Sequence, residues 1–200
     1  VAIHQYVTRS SPAYDFNAAM FLARRKEFLV DGFMPYQMDT RQGDKTIAYT
    51  EWGDSQNPKV VFCVHGLSRN SRDFDVLANT LCVDYRVICI DIVGRGDSDW
   101  FNDKSLYAYP HYISLCSSFL QKLDIESVDW VGTSMGGLIG MFVASMPGSL
   151  VKSLILNDIG SFIPKQALQR IGQYIGKATG FNSDTEAEIY LREICKSFGP

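Results

Sequence analysis

Histidine is scarce in this chain: His4, His65 and His111 are the three in 200 residues. The five cysteines, Cys63, Cys82, Cys89, Cys116 and Cys195, are odd in number and widely spaced. No C-x-x-C or H-E-x-x-H pattern occurs. Neither a zinc site nor a disulfide framework is therefore indicated, and reduced thiols suit a cytoplasmic protein. An excess of either charge is also missing: 19 Lys and Arg face 22 Asp and Glu, a net charge of −3. That balance leaves no basic footprint for nucleic acid or an anionic membrane. No apolar run approaches the length of a membrane span. Ala18 to Ala23 is too short for a signal core, and its arginines follow it instead of preceding it. Nucleotide fingerprints are absent as well. Gly94-Arg95-Gly96 lacks a third glycine, with Asp99 in its place, and there is no Walker lysine motif. What is present is the composition of a folded domain, 46% hydrophobic and 20% charged.

The hydropathy pattern predicts an arm over residues 1–15 and a short helix over 16–30. Gly32 to Thr40 and Lys45 to Trp52 read as two strands joined at Gln42-Gly43-Asp44. Beyond Pro58 the pattern changes. Val60 to Val64 is a continuous apolar run, the mark of a strand buried on both faces, and Arg86 to Ile92, Ser127 to Thr133 and Val151 to Ile159 read as further buried strands. Helical periodicity separates them, over 71–83, 110–123 and 135–146. Pro110 fits a first helical turn. The segment 135–146 is apolar nearly all round, which predicts a buried helix. The alternation specifies an α/β fold with a mostly parallel sheet and right-handed crossovers. After Gly160 it stops, and 165–177 and 184–198 read as two helices. Ser183 and Glu186 have capping-box spacing for the second.

The chemistry-bearing motif is Gly132-Thr133-Ser134-Met135-Gly136-Gly137. It fits G-x-S-x-G at a strand-to-helix junction. A serine on so sharp a turn is pushed above the sheet edge, and the chain passes so closely that the positions two before and two after must lack bulky side chains, as Gly132 and Gly136 do. The following helix aims its N-terminus at the serine, which favours the negative charge of acyl transfer. His65-Gly66-Leu67 ends the strand 60–64, beside the serine in a parallel sheet. A backbone N–H from that loop can pair with the N–H of Met135 as an oxyanion hole. His65 itself reads as a brace for the loop. The third segment, Asp91-Ile92-Val93-Gly94-Arg95-Gly96-Asp97-Ser98, reads as a turn-rich loop.

Together these segments resemble the alpha/beta-hydrolase superfamily over about residues 33–160. HGL stands at 65–67, D-x-x-G-x-G-x-S at 91–98 and G-x-S-x-G-G at 132–137. The resemblance implies an alpha/beta-hydrolase fold, with residues 1–32 as arm and helix, 33–160 as an incomplete core and 161–200 as the start of a helical cap. It implies Ser134 as the nucleophile of an esterase-like serine hydrolase, with Leu67 and Met135 donating backbone N–H groups. The expected partner is a small acyl substrate, and no cofactor or metal is implied. Dehalogenation and epoxide hydrolysis are disfavoured, because those relatives carry Asp where this chain has Ser134. Thioester, lactone and carbon–carbon hydrolysis are not separated from ester hydrolysis. Phe162, Ile163, Leu168, Ile171, Tyr174 and Ile175 could roof the site or pack as ordinary helix residues.

The triad breaks the pattern. Its acid and histidine should follow the serine, yet all three histidines precede Ser134. Asp158 has two readings, as the acid or as a brace at the cap entrance. The preferred expectation places the histidine and the acid beyond Pro200. The competing one is a non-catalytic relative that binds a ligand or partner in the same pocket.

Overall fold

The computed structural model describes residues 24–30, 45–176 and 180–194. Ala19–Gly160 forms one compact unit, and the described residues from Ser161 onward belong to another.

The first unit is built on six strands: β1 Arg24–Val30, β2 Lys45–Trp52, β3 Val60–Val64, β4 Arg86–Ile90, β5 Val128–Thr133 and β6 Val151–Asn157. Their order across the sheet is β1-β2-β4-β3-β5-β6. β2 runs antiparallel to both β1 and β4. β4, β3, β5 and β6 are mutually parallel. This is an α/β architecture with a mostly parallel sheet.

β3 lies between two parallel partners, and all five of its residues are buried. Its alternating side chains divide the core. Phe62 packs on Trp130 at 5.0 Å and on Phe119 at 5.8 Å, centroid to centroid. Val60, Phe62 and Val64 share that cluster with residues of α2 Tyr109–Lys122 and α3 Met135–Ala144. On the opposite face Val61 and Cys63 meet Val87, Cys89, Val131 and Phe74, together with Ala78 of α1 Asp75–Leu81. Each face of β3 is therefore covered by helix, which is why that strand is apolar at every position. Cys63, Cys82, Cys89 and Cys116 are buried free thiols, and burial pushes Cys89 and Cys116 upward, away from the reactive thiolate.

Two sequence expectations are corrected here. Arg24–Val30, expected within a helix, is a strand paired along its length with β2, Arg24 opposite Glu51 and Val30 opposite Lys45. The ladder bonds come from residues some twenty positions away, which local periodicity does not register. The strand expected over 32–40 lies outside the described residues. Val151–Asn157, expected to be buried on both faces, is the outer strand of the sheet, with Ile155 56% exposed. Its α3 side is packed, since Gly140 lies against Leu154 and Gly137 against Leu156 and Ile159. The α1 side is an open groove lined by Phe74, Leu77, Val131, Thr133, Ile155 and Asn157, among others.

The second unit contains α4 Lys165–Tyr174 and α5 Asp184–Ile194. Tyr190 Oη donates to Tyr174 O at 3.4 Å, and the Phe181 ring packs tilted against Tyr190, 5.3 Å between centroids. Half of the expected capping box forms. Ser183 Oγ accepts from Glu186 N–H, but the Glu186 carboxylate turns to Asn182 N–H at 2.8 Å. Among the described residues, no helix is long and apolar enough to cross a membrane.

Candidate active site

Ser134 occupies the single residue between β5 and α3, at φ 49° and ψ −111°. Positive φ crowds the Cβ of a non-glycine residue, so the conformation persists only where the surroundings impose it. Three contacts do so. Ser134 N–H donates to Asn157 O at 2.9 Å, which fastens the turn to β6. Ser134 O accepts from Gly137 and Leu138 N–H and starts the helix. Trp130 Nε1–H donates to Gly136 O at 3.1 Å from beneath. Asn157 also spans to Thr133 Oγ1 with its amide, at 3.2 Å.

The glycines are required sterically. A Cβ on Gly132 would stand 2.5 Å from Gly136 O and Gly137 N. A Cβ on Gly136 would collide with the Val64 carbonyl. α3 can start this close to β3 only with hydrogen at both positions, and that closeness brings the 65–67 loop to the serine. A Cβ built on Gly66 would lie 3.7 Å from Ser134 Cβ. Met135 N–H is at the first position of α3, where no carbonyl of the same helix can reach it.

His65 is completely buried beneath this loop. Its Nε2 accepts from Ile92 N–H at 3.0 Å, which leaves the proton on Nδ1 to be donated to Gly66 O at 2.7 Å. Burial pushes its pKa down to about 4, so the ring is neutral at pH 7. With both nitrogens engaged, His65 joins two loops and is not a proton acceptor for Ser134. His111 sits in the first turn of α2, its ring 6.4 Å from Phe101. His4 lies outside the described residues. Asp158 follows β6 at φ 54°, and it is exposed.

The Asp91 loop does more than turn the chain. Asp91 Oδ1 accepts from Ser71 N–H at 2.7 Å and Oδ2 from Asp97 N–H at 3.0 Å. Ser98 Oγ donates to Asp91 O at 2.6 Å and accepts from Ala48 N–H at 2.9 Å. Between them Arg95 reaches across to Leu67 O at 3.0 Å. Reading the sequence missed that arginine. Its one local signal is a long cation between two glycines.

The pattern of the alpha/beta hydrolase fold family matches residues 59–182, more than half of the chain. The chain belongs to the alpha/beta hydrolase fold family. Among solved structures it is similar to an alpha/beta hydrolase from Novosphingobium aromaticivorans, with TM-score 0.74 and 31% identity, over 86% of this chain and 57% of that one. Among curated relatives, a 3-hydroxybutyrate-oligomer hydrolase of Cupriavidus necator is 49% identical over 76% of this chain and 52% of its own length. A serine hydrolase-like protein of Danio rerio is 36% identical over 54% of this chain and 32% of its own. The chain thus spans about half, or less, of these curated relatives. In this alpha/beta hydrolase fold, the three segments singled out in the sequence meet at the C-terminal edge of the parallel strands. HGL and the Ser134 turn are in contact, and the 91–98 loop reaches HGL through Arg95.

Proposed function

We propose that this protein is a serine esterase that cleaves short oligoesters of a hydroxy acid. The observation that carries the reading is the strained Ser134 turn, held at positive φ against the Gly66 loop. In the proposed reaction Ser134 Oγ attacks the ester carbonyl carbon and loses its proton to a base. The negative charge on the carbonyl oxygen is taken by Leu67 N–H in the loop after β3 and by Met135 N–H at the start of α3. Collapse breaks the ester C–O bond, and the alcohol leaves with a proton. Water then cleaves the acyl-serine to the free acid.

The base is not His65, whose ring nitrogens are occupied. The reading requires a histidine and an acid that follow Ser134 in chain order. The substrate class is supported by the 49% identity to a protein named as a 3-hydroxybutyrate-oligomer hydrolase. The test is release of monomer from 3-hydroxybutyrate dimer and trimer by the full-length protein, followed by chromatography. Turnover that disappears in Ser134→Ala, together with Ser134 labelling by a fluorophosphonate, is the expected result. No turnover of any short ester and no labelling of folded protein would refute the reading. A ligand retained equally by Ser134→Ala would then favour a binding protein.

A further inference from the structure

We propose that Arg95 is a positioning residue for the oxyanion hole, tying the loop that carries Leu67 to the helix start that carries Met135. The proposal rests on the serine-esterase reading above. Arg95 Nε donates to Leu67 O at 3.0 Å. Nη1 donates to Val93 O at 2.9 Å and to Tyr112 Oη at 3.0 Å. Nη2 reaches Met135 Sδ at 3.8 Å. The guanidinium carbon lies 5.2 Å from the Tyr112 ring centroid and 5.8 Å from that of Tyr107. One planar cation thus contacts both residues whose N–H groups would meet the oxyanion. Two tyrosines and the Val93 carbonyl fix its own plane.

The loop is built to deliver it. Gly94 and Gly96 take φ of 80° and 53°, conformations that side chains resist. A Cβ on Gly94 would press on the Tyr107 ring at 2.5 Å, and one on Gly96 would enter the Asp91 carboxylate. Asp91 in turn is anchored by Ser71 and Asp97 N–H. Arg95 therefore projects from a loop with little freedom, whose two glycines take the turns that a side chain would resist.

Oxyanion donors act only when they stand about 2.7–3.1 Å from where the charge develops. A displacement near 1 Å costs on the order of a hundredfold in rate. Arg95 bonds the Leu67 carbonyl and not the substrate, so its loss falls on kcat and spares ground-state binding. Lysine is a poor replacement, because a point charge cannot span four acceptors and lie over two rings.

The test compares wild type, Ser134→Ala, Arg95→Gln, Arg95→Lys and Tyr112→Phe in the full-length protein with 4-nitrophenyl butyrate. Inhibition constants for butylboronic acid, which mimics the tetrahedral oxyanion, and for butyrate complete the set. In Arg95→Gln and Arg95→Lys we expect kcat to fall about 10- to 100-fold with KM within threefold. Boronate binding should weaken in step with kcat/KM, and butyrate binding should stay level. Tyr112→Phe keeps the cation and removes one acceptor, so a smaller loss in the same direction is expected. A folded Arg95 variant with kcat within threefold of wild type overturns the positioning role while the esterase reading stands. So does boronate affinity unchanged in Tyr112→Phe and in either Arg95 variant. Wild-type turnover that is absent, or that survives Ser134→Ala, overturns the esterase reading and this proposal with it.

Discussion

Gly136→Ala should separate catalysis from stability. The added methyl would meet the Val64 carbonyl carbon at 2.5 Å and His65 O at 2.9 Å, where 3.4 Å is ordinary contact. It would also overlap the Val64 carbonyl oxygen, so relief demands a movement of more than about 3.4 − 2.5 = 0.9 Å. Neither partner can yield alone. Val64 sits in a strand paired on both sides, and His65 is buried and bonded to Ile92. The start of α3 must therefore lift, carrying Met135 N–H and Ser134 with it. Overpacking of this kind costs about 1–3 kcal/mol of stability. A shift near 1 Å at the reacting groups costs on the order of a hundredfold in rate. The assay pairs urea unfolding with kcat for a 4-nitrophenyl ester and with the rate of Ser134 labelling by a fluorophosphonate. We expect a folded protein whose labelling rate has dropped at least tenfold. Wild-type labelling in folded Gly136→Ala would refute the close-approach argument.

Three further outcomes follow from the same structure. Burial lowers the His65 pKa to about 4, so the unfolded chain binds more protons between that value and about 6.5. Its contribution is complete above about pH 6.5 and is lost as pH falls toward 4, on the order of 3 kcal/mol. Urea unfolding from pH 7.5 to 4.5 should show this slope in wild type and a flatter one in His65→Gln; parallel slopes would contradict it. Phe62→Ala removes a fully buried ring that packs on Phe119 and Trp130, and should cost about 3–5 kcal/mol by chemical denaturation. Gly172, inside α4, has open space where a Cβ would go, so Gly172→Ala should stabilise by about 0.5–1 kcal/mol, read as a higher melting temperature.

Most of the parallel half of the sheet was legible from residues 60–157. Val60–Val64 is buried on both faces, and such a strand declares itself by an unbroken apolar run; Val128–Thr133, buried except at Asp129 and Thr133, was legible from Trp130-Val131 and the glycine turn that follows. The Ser134 turn was legible because glycines two positions before and after it are a local steric demand. β1 was misread, because Arg24–Val30 becomes a strand only through bonds to Lys45–Trp52. β6 was read as buried because Ile155 and Leu156 are apolar, yet a strand paired along one edge leaves part of that surface open. Arg95 marks the same limit at the site. His65 was read as a brace, and the 3.0 Å bond from Ile92, 27 residues away, shows which loop it holds.

The sequence by itself determined the α/β class, the strands that lie inside and the placement of one serine on a turn that only glycine neighbours permit. Those properties are written in periodicity and in local backbone sterics. Tertiary structure alone decided that Asp91 anchors a loop and that Asn157 fastens the serine turn to the next strand. It also decided that Arg95 joins Leu67 to Met135. Each of these is a bond between residues 20 to 40 positions apart, and a chain acquires such partners only when the sheet has assembled.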